Sequence, residues 1–104
     1  MDLGLRGRKA VITGSSKGLG QATAETLASE GVDVHLVARD AKALERIATD
    51  LAKRHGVEAS FSALDLSDSA NVDSLFSQLS GPIDILVNNA GAIPGGSIDL
   101  VDEA

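Results

Sequence analysis

The segment Thr13-Gly14-Ser15-Ser16-Lys17-Gly18-Leu19-Gly20 separates two runs of opposite character. Before it, Lys9-Ala10-Val11-Ile12-Thr13 is a short, β-branched stretch with the composition of a buried strand. After it, Gly18 to Glu30 is Ala-rich and suits a helix, and Gly31 stops that helix as a C-terminal glycine does. The glycine spacing is G-x-x-x-G-x-G. It is neither G-x-G-x-x-G nor the P-loop, which needs Gly-Lys and then Ser or Thr at a set distance. The physical logic of a phosphate loop still applies. Gly14 lets the chain turn sharply off the strand, Gly18 removes a Cβ where backbone must approach a phosphate, and Gly20 lets the helix pack closely on the sheet. The loop N–H groups, Leu19 included, and the helix N-terminus face the anion. Ser15 and Ser16 add hydroxyl donors and Lys17 a cation. A flexible surface turn is the alternative, and three glycines at the junction of a first βαβ unit argue against it.

Downstream, strand-like and helix-like segments keep alternating. Val32 to Ala38 reads as a second strand. Asp40 is placed to cap a helix carrying Ala41, Leu44, Ile47, Ala48 and Leu51 at helical spacing, which closes on Lys53-Arg54-His55-Gly56. Val57 to Leu64 alternates as a third strand. Ser67 or Asp68 caps a third helix with Val72, Leu75, Phe76 and Leu79 on one stripe, and Gly81-Pro82 breaks it. Ile83 to Val87 is a fourth strand, followed by Asn88-Asn89-Ala90-Gly91. The order β-α-β-α-β-α-β predicts an α/β fold with a doubly wound parallel sheet, Rossmann-like. Right-handed crossovers that reverse after the third strand predict strand order 3-2-1-4, with the switch point between the first and fourth strands.

The end of the second strand bears on which dinucleotide the loop serves. An acid there favours NAD and an Arg favours the 2′-phosphate of NADP. The strand ends Ala38-Arg39-Asp40, so a neutral residue is followed by a cation, and Lys17 supplies another. Asp40 is the rival acid, but its capping role puts it too late to face a ribose. The reading is NADP over NAD, against the simpler view of Arg39 as a solvated loop cation.

Composition narrows the chemistry. The 104 residues suffice for one domain, and 43% hydrophobic with 23% charged residues is globular rather than disordered. There is no cysteine, which excludes disulfides, Cys-based zinc sites and Cys nucleophiles. His35 and His55 lie on separate elements, so no metal site is expected. There is also no tyrosine and no tryptophan. All nine Lys and Arg fall between Arg6 and Arg54, where seven acids leave +2; residues 55–104 hold eight acids and no base, giving −8 and a total of −6. An acidic chain without a basic run is a poor nucleic-acid ligand. No apolar run approaches the roughly 20 residues of a membrane span, and no targeting signal opens the chain, so the expectation is a cytoplasmic protein.

The glycine segment, Asp65 in Leu64-Asp65-Leu66-Ser67, and Asn88-Asn89-Ala90-Gly91 occur in an order and spacing similar to those of the short-chain dehydrogenase/reductase family. The resemblance covers essentially the whole chain, as the N-terminal part of a longer member. It implies that Asp65 accepts from the adenine amino group, with the Leu66 backbone completing the contact. Asp65 as a cap of the third helix is the alternative. It also implies that Asn88, Asn89, Ala90 and Gly91 pass beside the cofactor ribose, with Asn88 and Asn89 equally suited to holding the central strands together. The family's catalytic Ser and Tyr-x-x-x-Lys have no counterpart here, since the chain holds no Tyr and no Lys after Lys53. The expectation is therefore the N-terminal part (1–104) of a single NAD(P)-binding domain, truncated after the fourth strand. Its parent would move a hydride between nicotinamide and a carbonyl or alcohol substrate, and would be a homo-oligomer. The chain alone would be inactive, with no catalytic residue in it. A non-enzymatic NADP-binding or sensing module is the other reading.

Overall fold

In a computed structural model, residues 4–14, 18–79 and 81–89 are described. The elements are β1 (Lys9–Thr13), α1 (Gly18–Ser29), β2 (Asp33–Ala38), α2 (Ala41–His55), β3 (Ala59–Ala63), α3 (Ser69–Gln78) and β4 (Ile85–Asn88). They form one four-stranded sheet in the order β3-β2-β1-β4, with every pairing parallel. This is the doubly wound, Rossmann-like order read from the sequence.

The alternation of strand side chains divides the core in two. Ala10 and Ile12 of β1, with Val34 and Leu36 of β2, face α1 and α2 and meet Ala24, Ala28, Leu44, Ile47 and Leu51. On the opposite face Val11, Val37 and Leu86 meet Leu75 of α3, with Phe76, Leu79 and Ile83 partly buried around them. The buried residues of α1 are Gly20, Ala24 and Ala28, four apart and all small. That spacing puts them on one stripe of the helix turned to the sheet.

Local chemistry sets the ends of the helices. Asp40 caps α2 by accepting from Ala43 N–H at 3.1 Å. At the other end Gly56 takes a left-handed φ of 70° and donates to Ala52 O at 2.9 Å, beside Lys53 and Arg54. Asp68, not Ser67, caps α3 through Ala70 N–H at 2.9 Å. The strands are slightly shorter than their apolar runs suggest. Val57 and Leu64 pack beside the cores but fall outside β3, and Ile83 falls outside β4.

Charged residues tie α2 back onto α1. Arg54 bonds Glu25 with two nitrogens and reaches Asp50, and His55 Nε2 lies 2.7 Å from Glu25 Oε2. The Arg54 hydrogen bond and then that of His55 hold the Glu25 carboxyl below its ordinary range. These side chains are exposed or half-exposed, so the ties orient the helices more than they stabilise the fold.

Candidate cofactor site

The parallel strands bring four loops to one edge of the sheet, at their C-terminal ends. β1 ends at Thr13 and β4 at Asn88, and these two residues are register partners. The switch point therefore lies where the sequence predicted. Gly14 leaves β1 with φ 65° and donates its N–H to Val37 O at 2.8 Å, which fastens the turn to β2. Gly18 opens α1 with φ 62°, and no described atom lies within 4 Å of the position its Cβ would take. A left-handed backbone beside open space at a helix N-terminus is what close approach of an anion requires. Leu19 is 74% exposed at the same end, whereas Gly20 is buried. Ser15, Ser16 and Lys17 lie outside the described residues, as do Ala90 and Gly91.

Arg39 follows β2 directly. It is exposed and forms no hydrogen bond or ion pair with the described residues. Its charge is felt at Asp65, in the loop after β3. Asp65 is exposed and is held by its neighbour: Ser67 N–H and Ser67 Oγ both donate to Oδ1, at 3.0 and 2.7 Å. The Ser67 hydroxyl, then the Ser67 N–H, with Arg39 adding its charge, keep this carboxyl below the ordinary aspartate range. Oδ2 takes no hydrogen bond among the described residues. Since Asp68 caps α3, Asp65 does not serve as that cap. Leu66 tucks its side chain partly under the α3 face.

Asn88 and Asn89 are half-buried at the end of β4. Thr13, 1% exposed, lies between them: its hydroxyl donates to Asn88 Oδ1 at 2.8 Å and accepts from Asn89 N–H at 3.0 Å. Thr13 thus joins β1 to the Asn88 side chain and to the Asn89 backbone N–H. The sequence placed Thr13 at the end of a strand and the start of the glycine segment, with no role of its own. Its position one residue before Gly14 was the available signal. The Asn89 side-chain N–H₂ is buried and has no partner among the described residues, so a donor at the switch point is left for another group.

His35 is another residue whose role the sequence hid. It is 7% exposed, with its ring between Ser60 Oγ (Nδ1, 2.7 Å) and Ser62 Oγ (Nε2, 2.8 Å) on β3. Burial first, and the Lys9 charge second, lower its pKa. It lies within the sheet and takes no part in the loop cluster. Among the described residues no group of His, Cys, Asp and Glu could hold a metal ion.

A glycine-opened helix and convergent polar loops at the switch point of a 3-2-1-4 sheet define a doubly wound fold of the Rossmann class. The chain belongs to the short chain dehydrogenase family, whose profile matches residues 8–104. A curated relative is the 2,3-dihydro-2,3-dihydroxybenzoate dehydrogenase of Bacillus subtilis (strain 168), 40% identical over 104 residues, covering 96% of this chain and 40% of the relative. Among solved structures, L-sorbose reductase from Gluconobacter frateurii complexed with NADPH and L-sorbose superposes with a TM-score of 0.79 and 44% identity, over 100% of this chain and 40% of that one. A short-chain dehydrogenase from Sphingobium yanoikuyae in complex with NADPH gives a TM-score of 0.75 and 36% identity, over 81% of this chain and 34% of that one. The chain thus spans about 40% of the length of the first two of these relatives.

Proposed function

We propose that this chain is the adenosine- and pyrophosphate-binding part (1–104) of an NADP-dependent oxidoreductase domain. The observation that carries the reading is Arg39 at the end of β2, exposed and without a hydrogen bond or ion pair among the described residues, on the same sheet edge as the helix N-terminus at Gly18. Gly14, Ser15, Ser16, Lys17, Gly18, Leu19 and Gly20 would cradle the pyrophosphate. Arg39 and Lys17 would take the 2′-phosphate, which a bidentate guanidinium suits. Asp65 and Leu66 would hold the adenine, and Asn88, Asn89, Ala90 and Gly91 would border the cofactor ribose. Among the described residues, the open space at Gly18, the Asp65 Oδ2 without a hydrogen bond and the Asn89 N–H₂ without a partner all fit such a ligand. The bound dinucleotide supplies hydride chemistry; the residues of this chain bind and orient it.

The carbonyl or alcohol substrate, the cytoplasmic location and the homo-oligomeric state belong to the whole protein and are proposed with it. No described helix is long and apolar enough to cross a membrane. The chain carries no tyrosine to exchange a proton with substrate, so binding without turnover is expected of it alone. The same feature suits a non-enzymatic NADP-binding module.

Arg39→Ala tests the reading. A charge-assisted hydrogen bond contributes about 1.5–3 kcal/mol, so NADP binding is expected to weaken about 10- to 150-fold, with NAD binding nearly unchanged. Titration calorimetry with both cofactors measures this. Equal losses for the two would refute the assignment.

A further inference from the structure

β3 is the outer strand of the sheet, and among the described residues nothing pairs with its far side. Glu58 O accepts from Val34 N–H and Leu64 N–H donates to Ala38 O, at 2.9 and 2.8 Å. In a parallel ladder a residue's N–H and C=O point the same way and alternate along the strand. Glu58, Ser60, Ser62 and Leu64 therefore face β2, whereas Ala59, Phe61 and Ala63 direct their backbone groups outward. Natural edges are usually blunted by Pro, Lys or a bulge. Ala59-Ser60-Phe61-Ser62-Ala63 has none of these, and Phe61 is a large hydrophobic residue 37% exposed. It lies in a shallow groove shared with Ala48 and Ala52 of α2, whose rim carries Glu45, Thr49 and Lys53.

We propose that the β3 edge and the α2 rim beside it form a two-fold interface between two copies of this chain. The strand reads the same in both directions about Phe61. The hydrogen-bonding parity permits an axis at that residue: an antiparallel pair there bonds Phe61 to Phe61 of the second copy, and Ala59 to its Ala63 in each direction. An axis perpendicular to the sheet sets the two α2 helices antiparallel on one face. Glu45, Thr49 and Lys53 are four residues apart and share a helix face. About the same axis Glu45 meets Lys53 of the second copy, and Thr49 meets Thr49. An isologous contact requires this kind of self-complementarity. Like charges stay apart, because Glu58 falls opposite Leu64 and Asp65 opposite Val57. On the other face the His35 ring already holds Ser60 and Ser62, which keeps the edge ordered before it pairs. A foreign peptide could also lie along an open edge, but it would have no use for the symmetry of the strand or the charge pattern of the helix.

The surface is small, near the low end for specific interfaces, so association is expected to be reversible. Sedimentation velocity on the full chain, from about 1 μM to about 1 mM, is expected to show a dimer that grows with concentration. Phe61→Lys and Ala63→Pro are each expected to weaken it about tenfold or more; the Ala63 N–H points outward, so the β2 ladder is untouched. Lys53→Glu is expected to weaken it through repulsion by Glu45, and the double exchange Glu45→Lys with Lys53→Glu to restore it. These surface exchanges keep the test intact if Phe61→Lys misfolds, which circular dichroism reports. Because the chain has no cysteine, a short thiol cross-linker reads the register. It should join Thr49→Cys copies to each other, and Glu45→Cys copies to Lys53→Cys copies. A monomer at every concentration, a dimer indifferent to Lys53→Glu, or cross-linking without this pattern would each overturn the proposal.

Discussion

Thr13→Val tests how the switch point is held together. Thr13 is 1% exposed, and its single hydroxyl joins the ends of β1 and β4. Valine has nearly the same shape, so the packing survives and the hydrogen bonds do not. Asn89 N–H then lacks its acceptor and Asn88 Oδ1 loses a donor. An unsatisfied buried group costs about 1–3 kcal/mol. Both asparagines are only half-buried, so the low end applies to each, and a total loss of about 2 kcal/mol is expected. Thr13→Ser keeps the hydroxyl and loses one methyl group, a cost of about 1 kcal/mol. Urea unfolding of the two variants and the parent chain, compared at constant slope, measures the difference. A Val variant no less stable than the Ser variant would refute the view that Thr13 fastens the two strands. If the view holds, NADP affinity is also expected to fall in the Val variant, because the β4 end borders the proposed site.

Other expected outcomes follow from single residues. Gly31 has φ 86°, and Arg6 atoms lie 2.8–3.0 Å from the position of an added Cβ, whereas Gly56 has φ 70° and open space. Gly56→Ala is expected to cost about 1–2 kcal/mol for conformation alone, and Gly31→Ala more; Arg6→Ala should relieve the excess in thermal melts. His35 is held below its ordinary pKa of 6.5 by burial and then by Lys9. The unfolded chain therefore takes up this proton first as pH falls, so the contribution of His35 is full above 6.5 and lost below it. Urea midpoints at about pH 7.5 and about pH 5.5 should differ less in His35→Gln than in the parent. Asp68→Ala removes the α3 cap and is expected to cost about 0.5–2 kcal/mol. Asp65→Ala should leave urea stability nearly unchanged and weaken adenosine binding; the reverse pattern would return Asp65 to a capping role.

Much of the fold was legible because its signals are local. Asp40 and Gly56 bracket α2 through bonds to atoms within four residues, and the apolar stripe of that helix needs only its own periodicity. The glycine segment announced a strand-to-helix turn for the same reason. Strand ends were less legible. Val57, Leu64 and Ile83 are apolar and pack on the cores, yet lie outside the ladders, since burial and hydrogen-bonded pairing are separate conditions. The third helix offered two neighbouring caps, Ser67 and Asp68; Ser67 turns back to Asp65 two residues earlier, and Asp68 caps the helix.

The sequence by itself determined the alternation of elements, the parallel sheet and the family, because crossover handedness and glycine spacing are properties of short stretches. Tertiary structure alone decided which distant groups meet. Thr13 reaches Asn88 and Asn89, and His35 reaches Ser60 and Ser62. Each of these contacts joins segments that only the β3-β2-β1-β4 order makes neighbours. The outward backbone groups of β3 belong to the same class. Their direction depends on register against β2, which no periodicity within Ala59–Ala63 reveals.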